Sequence, residues 1–154
     1  METVEEIIRR HPFWNGLDTE YFHPFEVHAT LEKFGLGQPI FTEGGNADYF
    51  YLVHQGRVSL EMFVRGKGLV TIESLASGET LGWSWLFPPY RWQFAARSHA
   101  ETELVAVPAA ALRDYAKSNH DFGYELAMRV GKVTLMRLQA TRLQLLDFYG
   151  AIGD

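Results

Sequence analysis

The strongest fold signal in the sequence lies in residues 50–75, which read FYLVHQGRVSLEMFVRGKGLVTIESL. Three segments of strand length follow one another there, at Phe50–His54, Arg57–Val64 and Leu69–Leu75. Their side chains alternate with a period of two, which is typical of strands that bury one face. Glycines at 66 and 68 join the last two segments and suit a tight hairpin, because such turns commonly need positive φ. The stretch therefore predicts consecutive antiparallel strands.

Segments on either side extend the same pattern. Further strand-length segments stand at Glu32–Phe34, Pro39–Phe41 and Leu104–Val107. Short strands at this spacing indicate a barrel, a roll or a sandwich, and we expect about eight of them.

Helical patterns flank the strands at both ends of the chain. Thr3 and Glu6 form the sequence signature of a capping box, which predicts a short amphipathic helix. Residues 18–31 have helical composition at first, and Pro24 must lie in a first turn or break the helix. Near the C-terminus, a short helix is predicted over Ala109–Ala116, and residues 118–121 offer an N-cap for a long helix.

The long helix carries apolar residues on more than one side. One stripe steps by three or four residues, and further leucines extend it to a second side. The stripe comprises Phe122, Leu126, Val130, Val133, Met136, Ala140, Leu143 and Leu146, and the second side adds Leu135, Leu138 and Leu145. So wide an apolar surface predicts two neighbours, the body of the domain and the same helix of a second subunit. The alternative is a helix folded entirely into its own core.

The composition narrows the possible functions. A length of 154 residues suits one domain, and the absence of cysteine excludes disulfides, thiolate zinc sites and thiol nucleophiles. The net charge of -5 disfavours general attachment to nucleic acid or anionic membrane. The N-terminus is acidic where a signal peptide is basic, and no apolar run approaches the ~20 residues of a membrane span. We therefore expect a cytoplasmic protein without a membrane partner.

Three motifs stand in order along the chain. They are Phe34-x-x-Gly37-x-x-Ile40-Phe41-x-Glu43-Gly44, Asp48-x-Phe50-Tyr51-Leu52-Val53-x-x-Gly56-Arg57-Val58, and Gly78-Glu79-x-x-Gly82. With the terminal helix, they resemble the cyclic nucleotide-binding domain of Crp/Fnr regulators, cyclic-nucleotide-dependent kinases and gated channels. The resemblance implies an α+β fold: a double-stranded β-helix, which is a jelly-roll-like antiparallel β-roll, with N-terminal helices and a long C-terminal dimerisation helix.

The resemblance also implies how the chain is divided. We expect a single domain over residues 1–154, with a helical lead-in at 1–31 and the β-roll at 32–107. A segment like the family's phosphate-binding cassette lies at 78–97, and the C-terminal helices occupy 108–150.

The cassette departs from the family pattern at two positions. The resemblance implies a carboxylate directly after the second glycine, which accepts from a ribose hydroxyl, and a later arginine that pairs with the cyclic phosphate. Trp83 and Trp92 stand at these positions. Three outcomes are open: Arg91 turns inward as a substitute cation, the tryptophans fill the cavity, or they line a less polar pocket for another small molecule.

By the same resemblance, the candidate ligand site comprises Gly78, Glu79, Gly82, Trp83, Ser84, Arg91, Trp92 and Gln93, with Met136 and Arg137 of the long helix facing it. Gly82 permits close approach of the backbone, and a short helix starting at Trp83 would point free N–H groups at an anion. The expected ligand is a cyclic nucleotide or another small anionic or apolar molecule. Gly123 and Gly131 weaken a helix, so we expect another backbone close to each of them.

No pattern in the sequence supports catalysis. The six histidines do not form the paired arrangement of a cupin metal site, and nucleophile-elbow, Walker and dinucleotide motifs are missing. We therefore predict neither catalytic nor metal-ligating residues. Residues 151–154 are too few for a helix-turn-helix, so direct DNA binding is disfavoured.

These observations predict a stand-alone regulatory or ligand-sensing domain with altered or lost nucleotide recognition, acting on a separate effector protein. The alternative is a structural, dimeric protein-interaction module whose pocket is filled by tryptophan and binds nothing.

Overall fold

The computed structural model describes residues 2–153, with side chains up to residue 150. Over these residues the chain forms four α-helices and seven β-strands. The helices are α1 (Val4–Arg10), α2 (His23–Glu26), α3 (Ala109–Ser118) and α4 (His120–Gly153), with 3-10 turns at Pro12–Trp14 and Thr19–Tyr21. The strands are β1 (Thr30–Phe34), β2 (Pro39–Phe41), β3 (Tyr49–Gln55), β4 (Arg57–Val64), β5 (Gly68–Ala76), β6 (Ala95–Ser98) and β7 (Thr102–Pro108).

The strands form two antiparallel sheets, of order β1-β7-β3 and β2-β6-β4-β5. Leu52 of β3 and Leu60 of β4 belong to the same buried cluster, so both sheets pack on a shared core. The predicted antiparallel roll with helices at both ends is therefore confirmed. The described residues hold seven strands instead of about eight, because the segment between β5 and β6 pairs only through isolated bridges at Thr80 and Arg91.

The β4–β5 hairpin forms where the alternating pattern predicts it. Arg57 pairs with Ala76 at one end and Val64 with Gly68 at the other. Gly66 and Gly68 take φ values of +87° and +81°, in the region that favours glycine. The hairpin positions the candidate site, because the cassette begins directly after β5.

The N-terminal segment packs on the start of α4 through aromatic side chains. The capping box of α1 forms, since Thr3 and Glu6 exchange two hydrogen bonds of 3.2 Å. Pro24 lies in the first turn of α2, which has only four residues. The ring of Trp14 lies 4.8 Å from that of Phe25 and 6.4 Å from that of Phe122, so the aromatic cluster fixes the first turn of α4.

Helix α4 packs on the domain over its first half only. Phe122, Leu126 and Val130 are buried. From residue 138 to residue 150 every side chain is exposed, so the alternative of a helix folded entirely into its own core is wrong, and the second neighbour stays a prediction. None of the described helices is long and apolar enough to cross a membrane.

Gly123 and Gly131 of α4 have different surroundings. A Cβ atom added to Gly123 would lie 2.8 Å from the carbonyl oxygen of Ala116 in α3, so the predicted close approach of a backbone is confirmed there. For Gly131 the described chain brings no other element within 4 Å of the added Cβ, so there the approach of another backbone stays a prediction.

Candidate functional site

The cassette-like segment starts at the end of β5 and runs beside β3. The Val53 N–H donates to the carbonyl of Glu79 at 2.9 Å, and the Leu81 N–H donates to the carbonyl of Tyr51 at 3.1 Å. Gly78 turns the chain into this path with a φ of +91°. Backbone hydrogen bonds therefore hold the first part of the cassette to the roll.

After Gly82 the chain forms a turn, so the short helix expected from Trp83 is wrong. One backbone hydrogen bond closes this turn, from the Leu86 N–H to the carbonyl of Trp83 at 3.0 Å. A helix begun at Trp83 would need N–H donors at positions 88 and 89, which are prolines and have none.

Arg113 of α3 fixes the turn in place. Its guanidinium donates to the carbonyl of Trp85 and lies 4.1 Å from the centre of the Tyr90 ring. The cation–π contact with Tyr90 stabilises the turn in addition to the hydrogen bond to Trp85. Sequence reasoning missed Arg113, because it lies 28 residues after Trp85 and no local pattern links the two.

Aromatic rings fill the inner side of the cassette. Trp92 is 2% exposed and stacks on Phe41, with ring centres 3.8 Å apart and planes 6° from parallel. A Cβ atom added to Gly82 would lie 2.8 Å from Cζ of Phe94 and 3.2 Å from Cζ3 of Trp92. The two rings thus lie directly against the backbone of the second cassette glycine. The space that the missing side chain of Gly82 leaves open is therefore filled by two rings of the same chain.

The neighbouring residues of the turn continue this filled interior. Ser84 is buried, and the fully buried ring of Trp85 stacks on Phe50 with centres 4.5 Å apart. Phe94 was not among the residues predicted for the site, although it lies closer to Gly82 than Trp92 does.

The polar candidates of the cassette stay on the surface. Arg91 is exposed and donates to the carbonyl of Gly44 at 3.2 Å, so its side chain does not turn inward. Gln93 is exposed and donates to the carbonyl of Arg91 at 3.1 Å. The exposed Glu79 carboxylate accepts from the Ala76 N–H at 2.7 Å and so stabilises its own turn.

A small cavity lies between Trp83 and α4. Its volume is about 10 Å³, and Phe13, Phe50, Val130 and Val133 contribute to its lining. A cavity of this size holds about one water molecule. This cavity under Trp83 therefore has no room for a nucleotide.

Arg137 reaches from α4 to the cassette. Its guanidinium donates through Nη2 to the carbonyl of Thr80, and its Nε lies 3.4 Å from Oε1 of Glu73 in β5. Burial raises the pKa of Glu73 above its usual value and nearby Glu79 adds to this, while the charge of Arg137 acts in the opposite direction. Met136 does not share this position, since its side chain is 58% exposed.

The comparison with known families agrees with this geometry. The sequence model of the cyclic nucleotide-binding domain matches residues 31–119, which is more than half of the chain. The chain belongs to the cyclic nucleotide-binding domain family. It is thus a domain of the regulatory cyclic nucleotide-binding type, and the resemblance drawn from its motifs is confirmed.

Solved structures share the fold of this cyclic nucleotide-binding domain. A protein described as cyclic nucleotide-binding from Geobacter metallireducens is 28% identical, with a TM-score of 0.77 over 90% of this chain and 99% of that chain. A cyclic nucleotide-binding domain from Methylobacillus flagellatus is 17% identical, with a TM-score of 0.78 over 94% of this chain and 81% of that one. The catabolite activator protein of Thermus thermophilus is 24% identical, with a TM-score of 0.70 over 90% of this chain and 63% of that one. No curated protein matches the sequence.

The domain also has an open groove beside Arg137. The groove has a volume of about 1010 Å³ and lies between α4, the loop around Pro12 and the first residues of the cassette, Gly78–Thr80. Met128, Gly131 and Leu135 of α4 form part of its lining. The large open space of this cyclic nucleotide-binding domain thus runs along the terminal helix and reaches the start of the cassette, whereas the inner side of the cassette behind Gly82 is filled.

Proposed function

We propose that this domain is a homodimeric regulatory module that has lost the recognition of cyclic nucleotides usual in its family. The observation that carries the proposal is the position of Trp92 and Phe94, whose rings lie against Gly82 where the cassette would meet a ligand. We further propose that it works in the cytoplasm on a separate effector protein, and the absence of cysteine is consistent with a reducing compartment.

Packing energies make ligand entry unfavourable. A ligand could enter the inner side of the cassette, behind Gly82, only after Trp92 left its place on Phe41. Removing a buried Trp from its packing costs about 3–5 kcal/mol. That cost would weaken binding by about a hundredfold or more, since each 1.4 kcal/mol is about tenfold.

The charges beside the cassette also disfavour an anionic ligand. Trp83 and Trp92 are neutral, and Arg91 lies on the surface. Of the cations beside the cassette, Arg137 already pairs with Glu73, and Arg113 donates to the carbonyl of Trp85. A cyclic phosphate would have to compete with that carboxylate.

The exposed face of α4 supports the dimer. Residues on this face recur at alternating steps of four and three positions, and we call this series the seam. It consists of Tyr124, Met128, Gly131, Leu135, Leu138, Arg142, Leu145 and Tyr149, all exposed. This alternation of spacings is the pattern with which two helices pair in a coiled coil. Gly131 has open space around it, so two helices could approach closely at that point.

Calorimetric titration with cyclic AMP, cyclic GMP and a cyclic dinucleotide tests the loss of nucleotide recognition. We expect no saturable heat from any of the three. Saturable binding at micromolar concentration would overturn the proposal. An Arg91→Ala variant then serves as the matched control, because loss of binding in it would identify Arg91 as a substitute for the missing arginine.

Sedimentation analysis of Leu138→Glu tests the seam. We expect a folded monomer, because the substitution places a charge in the middle of the apolar pairing face. The matched control is Leu143→Glu on the same helix, which is 64% exposed but off the seam and should leave the dimer intact. A dimer that persists in Leu138→Glu would place the interface elsewhere.

A further inference from the structure

Arg137 is covered at a point where α4 has already left the roll. Its side chain is 13% exposed, whereas those of its neighbours Met136 and Leu138 are 58% and 46% exposed. Every described side chain after it on the helix is exposed. Arg137 is therefore the last side chain of α4 that the domain covers.

The two partners of Arg137 belong to different parts of the roll. Glu73 lies in β5, and Thr80 lies in the cassette just before Gly82. Thr80 is itself fixed, because it is buried and pairs with Leu52 of β3 through an isolated bridge. One guanidinium thus connects the helix, the edge strand of the four-stranded sheet and the cassette.

The chemistry of these contacts suits arginine in particular. A guanidinium presents several N–H groups in a fixed plane, so Nε and Nη2 can serve a carboxylate and a carbonyl together. A lysine would offer a single charge without that geometry. The side chain of Arg137 is 13% exposed and that of Glu73 is 35% exposed, so removing Glu73 leaves the covered guanidinium without its charge partner.

We infer that Arg137 acts as a built-in latch, which holds α4 against the cassette and the β5 edge without any ligand. The inference rests on the proposed function, because an internal bridge is needed only where no nucleotide supplies one. Release of the latch, and not entry of a nucleotide, then lets the segment of α4 around Arg137 move away from the cassette.

Hydrogen exchange of the protein tests the latch in an Arg137→Met variant. We expect exchange to rise by about tenfold in residues 134–140 and in the cassette around 80–86, because local opening there becomes easier. Residues 120–130 should stay unchanged, since the aromatic cluster holds them. The matched control is Lys132→Met on the same helix, whose side chain is exposed. Unchanged exchange in Arg137→Met would overturn the latch.

Two further variants keep the test valid if Arg137→Met folds poorly. Glu73→Gln keeps the size of the side chain and removes its charge, so it should raise exchange in the same two regions by a smaller factor. Arg137→Ala should regain protection when methylguanidinium is added at millimolar concentration, and an equal concentration of sodium chloride should have no effect. Failure of this rescue would mean that Arg137 fills space and does not bridge the two elements.

The latch and the proposed function fail in different ways. Nucleotide binding by the wild-type protein would overturn the proposed function, whatever the exchange data show. A wild type that binds no nucleotide, with normal protection in Arg137→Met, would overturn the latch alone.

Discussion

The cassette buries an aromatic side chain on its inner wall, the part around Trp92, and leaves one partly exposed at its mouth, the part around Trp83. On the inner wall, Trp92 is almost fully buried and stacked on Phe41. At the mouth, Trp83 is 37% exposed and borders a small cavity under α4. Both residues replace charged groups of the family pattern, yet one has become core and the other has not. The difference separates the part of the cassette that stabilises the domain from the part that can respond to α4.

The largest effect that follows from this comparison concerns Trp92. We expect Trp92→Ala to lower the free energy of unfolding by about 3–5 kcal/mol, because it removes a stacked, buried ring. Urea-induced unfolding measures this loss. The matched control is Trp83→Ala, for which we expect about 1 kcal/mol or less, as is usual for a partly exposed site. Equal losses in the two variants would abolish the distinction between inner wall and mouth.

A smaller effect concerns His11, a buried histidine that links β3 to the 3-10 turn at Pro12–Trp14. Nε2 of His11 lies 3.2 Å from the carbonyl of Val53, and Nδ1 accepts from the Phe13 N–H at 3.2 Å. Burial lowers the pKa of His11 from its usual 6.5 to about 4 in the folded protein. The neutral imidazole is therefore the form that fits these contacts.

This pKa makes the stability of the domain depend on pH. Between pH 6.5 and about 4 the unfolded chain binds a proton at His11 that the folded chain does not, so stability is complete above the window and falls as the pH falls through it. The total effect is on the order of 3 kcal/mol. We expect a His11→Gln variant to be less stable than the wild type at pH 7.5, with the difference shrinking towards pH 4. A difference that stays constant with pH would show that His11 does not titrate in this way.

Much of the fold could be predicted because its signals are local. The hairpin between Arg57 and Ala76 follows from an alternation of period two, and the start of α1 follows from Thr3 and Glu6. The turn after Gly82 was harder, since a helical start was expected there and the prolines at 88 and 89 prevent it.

The candidate site could be located from the sequence but not completed. Trp83 and Trp92 were visible as departures from the family pattern. Trp92 is the buried one, because it packs with Phe41 of β2 and with Phe94, which directly precedes β6. These two residues are distant in sequence, so no local pattern reveals the packing. Arg113 and the pairing of Arg137 with Glu73 join elements that are distant in sequence, so no local pattern predicts them. The domain divisions, the assignment of ligand-binding residues and the dimer remain predictions.

The unequal burial of the tryptophans also has an optical consequence. Trp14, Trp85 and Trp92 are at most 2% exposed, whereas Trp83 is 37% exposed. An indole in water emits at longer wavelength than one in an apolar interior, and a polar quencher in solution reaches it first. The red edge of the emission spectrum therefore comes from a single ring next to α4, and the native protein carries its own reporter of movement at the mouth of the cassette.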